Sequence, residues 1–274
     1  MKGSRFLAAG AVLVAAVAAA AAGSGCGNVN VIHWLRSRDQ INKGINAFKS
    51  AAYPQAVEHF KEAVRLDPTL INARLYLATA YMSQYVPGAE SEENLRHAEA
   101  ATNGFLDALK QEPNSELAIE SLGSICFNQK KLDDAKKWYS KLIEINNKKK
   151  EAYYTIGVIN WTKSYQPRME VRAKIGMKPE EPGPIKDKKA RAELRTQTET
   201  VIKEGLDMLE RALAIDPNYD DAMAYVNLLY REQADLVDTA EENKALTDKA
   251  DDWVQKSMEI KKKKLEAPAP PKSS

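Results

Sequence analysis

A column of small residues recurs along the chain at a spacing that indicates repeated structural units. Gly44 precedes Ala78 by the same stretch of sequence that separates Gly123 from Gly157. A fixed period of about 34 residues is typical of a solenoid, in which each unit buries its apolar face against its neighbours. With local insertions allowed, three columns align, at the eighth, twentieth and twenty-fourth positions of each unit: Gly44, Ala78, Gly123, Gly157 and Asn227; Ala56, Ala101, Ala135, Gly205 and Ala250; Phe60, Phe105, Tyr139, Leu209 and Val254.

One unit, residues 116–149, shows most clearly what each repeat contains. It has two amphipathic segments joined at Gln129 to Leu132, with the small residues Gly123 and Ala135 where two helices would cross. Apolar residues at this spacing predict an antiparallel helix pair. Proline, which lacks the backbone N–H that a helix needs, closes several units. These closing prolines are Pro68, Pro113 and Pro217.

This pattern resembles the tetratricopeptide repeat family, whose unit is a helix-turn-helix of about 34 residues. The first unit departs from the family at Lys43, where leucine is usual. The resemblance implies an all-α fold, a right-handed superhelical solenoid of about five units following an N-terminal signal segment. The first unit matches at Gly44, Tyr53, Ala56, Phe60, Ala63 and Pro68. The units are expected at 37–70, 71–115, 116–149, 150–219 and 220–264.

Residues 1–25 have the layout of a bacterial export signal peptide. Lys2 and Arg5 precede an uninterrupted apolar run from Phe6 to Ala22, and a short positively charged segment before such a run is typical of exported proteins. Seventeen mostly alanine residues are few for a stable membrane span. We therefore expect export and removal of this segment.

Cys26 follows small residues directly and resembles the processing site of bacterial lipoproteins, where the cysteine becomes the lipid-bearing N-terminus. Gly23 departs from that pattern, because leucine is usual three residues before the cysteine. Three interpretations stay open: lipidation at Cys26, cleavage without lipid (for instance after Ala22), and an uncleaved anchor. Residues 26–36 would then form the tether and the lead-in to the first helix. The proline-containing tail, residues 265–274, is expected to be disordered.

Insertions lengthen three of the units. The second and fifth each carry 11 additional residues, and three helical turns take about 10.8 residues, so we predict long second helices there. The fourth unit carries a longer insertion that contains Pro167, Pro179 and Pro182. These prolines predict a long loop at 164–186, with helix resuming near Lys186 or Asp187. Whether this loop contacts a partner or is a tolerated insertion stays open.

Charge and cysteine content disfavour several classes of function. Lys and Arg number 40 against 38 Asp and Glu, and a nucleic-acid-binding protein should show a basic excess. The histidines are scattered, and no His, Cys or carboxylate group has metal-ligand spacing. Cys126 is expected to be a small buried residue. The sequence therefore predicts no enzyme, catalytic residue, cofactor, metal, nucleic acid or small-molecule substrate.

The first helix of each unit carries the candidate binding surface. In the family that this chain resembles, these helices line a concave groove, and some members hold a partner's terminal carboxylate there with Lys, Arg and Asn. Here Ile41, Ile45, Tyr76, Leu117 and Ser121 occupy those positions, so that clamp is absent. An apolar, aromatic groove suits a peptide helix or an extended segment. The resemblance places Tyr76, Phe127, Asn128, Tyr154, Trp161, Tyr225 and Arg231 in the groove, together with Ile41, Ile45 and Phe48.

These features together predict a non-enzymatic protein–protein interaction scaffold of the bacterial cell envelope. We expect it on the periplasmic side, held to a membrane by an N-terminal lipid, with a protein or peptide bound in the groove. The alternative function is a structural lipoprotein subunit of an envelope assembly or secretion complex. A second alternative concerns the groove itself, since its aromatic residues could simply pack on one another or under the loop of the fourth unit.

Overall fold

The computed structural model describes residues 27–179 and 181–266, and every regular element in that part of the chain is an α-helix. The export segment, Cys26 and residues 267–274 lie outside the described residues. The helices are α1 (Gly27–Lys49), α2 (Tyr53–Leu66), α3 (Ile71–Met82), α4 (Glu92–Gln111), α5 (Glu116–Asn128), α6 (Leu132–Ile145), α7 (Lys150–Lys174), α8 (Lys188–Ile215), α9 (Asp220–Ala234) and α10 (Ala240–Glu266).

The helices pack as five consecutive pairs, which we call units 1 to 5. Each odd-numbered helix packs on the even-numbered helix after it, and α2, α4, α6 and α8 each pack on the first helix of the next unit. Contacts of α3 with α5 and of α7 with α9 also form along the layer of first helices. The predicted all-α, right-handed superhelical solenoid of about five units is confirmed.

The aligned columns meet at the helix crossings inside the units. A Cβ atom added at Gly123 would lie 2.9 Å from Cε2 of Tyr139, which is closer than real Cβ contacts allow. Glycine at the eighth position therefore lets the large side chain at the twenty-fourth position lie against the backbone of the first helix. The same pairing occurs at Gly44 with Phe60, at 2.5 Å, and at Gly157 with Leu209, at 2.5 Å.

The prediction of a loop from residue 164 is wrong at its N-terminal end. Helix α7 continues through Pro167, and the irregular stretch begins only at residue 175. Proline inside a helix removes one backbone hydrogen bond and costs about 3 kcal/mol. Packing offsets that cost here, because Val171 and Ile175, which follow the proline, pack against the core shared by α7, α8 and α9.

Gly176, rather than Pro167, ends α7. Its φ of +73° lies in the left-handed region that favours glycine. Its amide donates to the carbonyl of Ala173 at 3.2 Å, and the amide of Met177 donates to the carbonyl of Arg172 at 2.9 Å. This pairing is a Schellman C-cap. Helix resumes close to the predicted place, since Asp187 accepts a hydrogen bond from the amide of Ala190 and caps α8.

The two 11-residue insertions do lengthen second helices. α4 has 20 residues and α10 has 27, against 14 in α2 and in α6. Part of each insertion forms a loop, and a buried asparagine holds that loop in both cases. Asn94 bonds to the backbone of Val86 and Ala89, and Asn243 donates to the carbonyl of Ala234 at 2.7 Å. Both asparagines end a Glu-Glu-Asn tripeptide, at 92–94 and at 241–243, so this repeated tripeptide has a structural role that periodicity alone does not reveal.

Candidate partner-binding groove

Aromatic side chains of α7, of α9 and of the turn before α9 meet in one group, which we call the aromatic cluster: Tyr154, Trp161, Tyr165, Tyr219 and Tyr225. Tyr225 of α9 lies between two residues of α7, with ring centroids 5.6 Å from Tyr154 and 5.4 Å from Trp161, both edge-on. Tyr219 lies 5.1 Å from Tyr154, and Tyr165 lies 5.0 Å from Trp161. Edge-to-face packing of this kind is favourable and orders the rings.

Helical spacing explains why α7 supplies these side chains together. Tyr154 and Trp161 are seven residues apart, and Trp161 and Tyr165 are four apart, so all three lie on one face of the helix. The cluster is partly buried and partly open to solvent. Tyr165, at its edge, is 36% exposed. A partner can therefore reach side chains whose positions are already held by packing.

Burial keeps the tyrosines of the cluster neutral to a higher pH than usual. It raises the pKa of Tyr219 to about 12 and also raises the pKa of Tyr154 and of Tyr225. Nearby acids, including Asp221, act in the same direction. A phenol with a raised pKa stays neutral throughout the physiological range. The cluster therefore offers apolar ring faces with neutral hydroxyl groups that can donate and accept hydrogen bonds.

A buried group of charges adjoins the aromatic cluster, and we call Arg168, Arg172, Glu232 and Asp235 the charged cluster. The guanidinium of Arg168 lies 5.8 Å from the ring centroid of Tyr165, and its Nε lies 3.3 Å from Oε2 of Glu232. Arg172 Nη1 donates to Oδ2 of Asp235 at 2.6 Å. Burial raises the pKa of Glu232 to about 7, although the charge of Arg168 opposes that shift.

The charged cluster also fixes the loop between α7 and α8. Arg172 donates to the backbone carbonyls of Lys178 and Glu181, at 2.7 and 2.6 Å. The amide of Ile185 donates to the carbonyl of Asp235 at 3.1 Å. The loop of unit 4 is thus bound to the end of α9, next to the aromatic side chains.

The structure brings together only some of the predicted groove residues. Tyr154, Trp161 and Tyr225 form the centre of the aromatic cluster. Tyr76 packs instead on Phe60 of unit 1, with ring centroids 5.5 Å apart. Phe60 is a core residue of α2, and whether Tyr76 also contacts a partner stays a prediction.

The other predicted residues lie apart from the cluster centre. Phe127 packs at the edge of the core that α5, α6 and α7 share, and Asn128 is the last residue of α5. Arg231 donates to Asn227 at 2.9 Å and pairs with Asp251 of α10 at 2.6 Å, so its charge is already partnered. Of the remaining first-helix residues, Phe48 packs on Tyr53. Whether any of these residues contacts a partner stays a prediction.

Sequence reasoning missed Tyr165 and Tyr219. Tyr165 lies in the predicted loop, because Pro167 predicts the end of a helix. The position of Tyr165 four residues after Trp161 is the helical signal that identifies it. Tyr219 is the N-cap residue of α9, in the turn after Pro217, where no helical periodicity applies. The position of Tyr219 directly before a first helix is the signal that could have identified it.

The described part of the chain holds no group of three or more His, Cys, Asp or Glu residues arranged to bind a metal ion. Cys126 is half-buried, and burial raises the pKa of its thiol, so the thiolate is disfavoured at neutral pH. Nδ1 of His59 lies 2.8 Å from the side-chain oxygen of Gln40.

Among residues 27–179 and 181–266, none of the helices combines the length and apolar character of a membrane span.

Comparisons with known proteins agree with this architecture. Residues 118–149, which include most of unit 3, match the family model described as tetratricopeptide repeat. Curated protein sequences give no match. Among solved structures, a crystal structure of MamA protein matches with a TM-score of 0.54 and 17% identity, covering 89% of this chain and 100% of that one.

Two further structures show the same similarity. MamA from Desulfovibrio magneticus RS-1 has a TM-score of 0.56 at 14% identity, over 83% of this chain and 96% of that one. YrrB, described as a TPR protein with an unusual peptide-binding site, has a TM-score of 0.51 at 15% identity, over 81% and 90% of the two chains. At such low identity these matches show similarity of the fold alone. The chain therefore has the fold of the tetratricopeptide-repeat solenoids, and its residues 118–149 match the repeat itself.

Proposed function

We propose that this protein is a non-enzymatic scaffold that binds a protein partner, and that the aromatic cluster is the centre of the binding surface. The observation that carries the proposal is the cluster itself, in which five aromatic side chains of units 4 and 5 lie together on or next to first helices and remain partly open. Tyr and Trp are the residues most often found where truncation strongly weakens a protein interface. Peptide binding by a protein of the same fold, YrrB, supports the proposal.

The chemistry of the cluster suits a peptide segment with an apolar side chain at its centre. Ring faces would cover that side chain, and the neutral hydroxyl groups would pair with peptide N–H and C=O groups. Lys150, whose Nζ lies 4.7 Å from the ring centroid of Tyr219, is already paired with Asp216. The charges beside the cluster are therefore largely compensated, so a strongly charged partner is not required.

Trp161→Ala should weaken partner binding by about 30-fold or more, because loss of a buried aromatic contact at an interface commonly costs about 2 kcal/mol or more. The partner would first be captured in cells by benzoylphenylalanine placed at Tyr165, on the edge of the cluster. The affinity of the purified partner would then be measured for the unaltered protein and for Trp161→Ala, and the ratio gives the loss of binding. Trp253→Ala is the matched control, since Trp253 is a partly buried tryptophan of α10.

The control should bind like the unaltered protein, and thermal unfolding should show that both variants are folded. Benzoylphenylalanine at Met258, which is exposed on α10, should capture no partner. Equal capture from both positions, or equal weakening by both tryptophan variants, would exclude the aromatic cluster as the binding centre.

The proposed location is the periplasmic side of the cell envelope, with the protein exported and held to a membrane by lipid on Cys26. The support comes from sequence: Lys2 and Arg5, the apolar run that follows them, and the small residues before Cys26. Two or more acyl chains suffice for stable anchoring, since each buried methylene contributes about 0.8 kcal/mol.

Cys26→Ser should abolish incorporation of an alkyne-labelled fatty acid, and should either release the protein from membranes or leave the unprocessed precursor. The chain has two cysteines, so Cys126→Ser is the matched control and should keep the label. Labelling would be read by gel fluorescence after attachment of a dye. A Cys26→Ser protein that stays labelled and membrane-bound would show that the lipid is attached elsewhere.

A further inference from the structure

The first turns of α1 expose large apolar side chains that no other part of the described chain covers. Val31 is 56% exposed, Ile32 47%, Trp34 44% and Leu35 55%. We call these four residues the α1 apolar face. Exposed apolar residues scattered singly are ordinary, but a contiguous group marks a site of interaction.

Helix α2 cannot cover this face, because α1 runs past its end. Ser37 Oγ donates to the carbonyl of Ala63 at 3.0 Å, and α2 ends only three residues later. The two helices are antiparallel, so the residues of α1 before about Trp34 extend beyond unit 1. At about 100° per residue, Ile32 and Leu35 also lie about 140° and 160° around the helix from Ser37, which faces α2.

The charge around the α1 apolar face is of one sign. Arg36 and Arg38 are the charged residues of α1 up to position 38, with no acidic residue among them, whereas acidic and basic residues alternate along the rest of the chain. The guanidinium of Arg38 lies 4.7 Å from the ring centroid of Trp34, and Arg36 is exposed. Two copies of such a face would repel each other. An apolar face with Trp at its centre and Arg at its border fits an anionic lipid surface.

The geometry points to α1 as a membrane-contact helix whose apolar face lies in the headgroup and upper acyl region of an anionic bilayer. Cys26 precedes Val31 by only five residues in the sequence. This inference rests on the proposed membrane location. A lipid on Cys26 would hold the face at the depth where amphipathic aromatic residues are favoured. Lipid contact by the face can nevertheless be measured separately from lipidation.

Benzoylphenylalanine in place of Leu35 should crosslink to phospholipid. The full chain would be extracted from membranes and reconstituted into vesicles of phosphatidylcholine and phosphatidylglycerol at 3:1, and adducts identified by mass. Benzoylphenylalanine at Val86, which is 59% exposed between α3 and α4, is the matched control and should give no lipid adduct. Vesicles without phosphatidylglycerol should lower the Leu35 adduct by roughly fivefold or more, the factor expected for one arginine near an anionic surface.

Each other outcome overturns the inference. A crosslinked dimer would mean that a second copy covers the face, and an adduct with another protein would mean that a partner does. Absence of any adduct would mean that the α1 apolar face is exposed to water. The fatty-acid label on Cys26, read in the same sample, separates the two proposals. A labelled protein without a Leu35 lipid adduct disproves only the membrane-contact helix, and an adduct on an unlabelled protein disproves only the lipid anchor.

Discussion

Arg172→Ala should lower the free energy of unfolding by about 3 to 5 kcal/mol, as expected when one partner of a buried ion pair is removed. Arg172 is 2% exposed. Its guanidinium bonds to Asp235 and to the carbonyls of Lys178 and Glu181. Alanine would leave a buried carboxylate and two carbonyl groups without these donors. Arg168 would remain as an ion-pair partner, but its Nη1 lies 3.6 Å from Oδ2 of Asp235, which is too far for the lost hydrogen bond.

Urea unfolding followed by circular dichroism measures this effect. Arg211→Ala is the matched control, because Arg211 pairs with Asp207 on the exposed side of α8 and exposed ion pairs contribute little. Arg172→Lys should fall between the two, since lysine keeps the charge but loses the planar set of donors. If Arg172→Ala were no more costly than the control, the charged cluster would not stabilise the fold.

Tyr139→Ala should lower the free energy of unfolding by about 3 to 5 kcal/mol, the cost of a large cavity in a packed core. Tyr139 is 7% exposed, and burial raises its pKa to about 12. Its ring lies against Gly123 at the helix crossing of unit 3. A cost below ~1 kcal/mol would mean that this ring is not part of the core.

A double-mutant cycle isolates the crossing itself. Gly123→Ala should cost about 1 to 3 kcal/mol, because the added methyl group would overlap a ring that has little room to move. With Tyr139→Ala already present, the same change should cost much less, since the cavity accepts the methyl group. Additive effects would show that the two positions do not touch.

Local patterns predicted the helix pairs because each crossing depends on residues that lie close together in sequence. Gly123 and Tyr139 belong to one unit, on helices joined by a short turn, and the same two positions recur in other units. The course of α7 could not be predicted in this way. The proline rule is local, whereas the contacts that continue the helix past Pro167 join Arg168 and Arg172 to acids at the end of α9, beyond the whole of α8. No periodic pattern links those residues.

The candidate site shows the same division. Family register placed Tyr154, Trp161 and Tyr225 on first helices, and the structure brings their rings together. The position of a residue in the repeat specifies which face of a helix it lies on, but not which other side chains of the protein pack against it. Tyr76 therefore packs on Phe60. Tyr219 joins the cluster from a turn, where helical register gives no information.

Bonds between the loops of units 4 and 5 change how the solenoid should unfold. In most repeat proteins a unit touches only its neighbours through its helices, so stability is a sum of local terms and units open separately. Here Arg191 donates both to the carbonyl of Ile185 at 2.7 Å and to Oδ1 of Asp238 at 2.9 Å, and Arg195 donates to the carbonyl of Leu236 at 2.8 Å. These bonds, with those of Arg172, join the loops after α7 and α9. We infer that units 4 and 5 open as one cooperative block in native-state hydrogen exchange, while unit 1, which contacts the rest of the solenoid mainly through α2 and α3, opens at lower free energy.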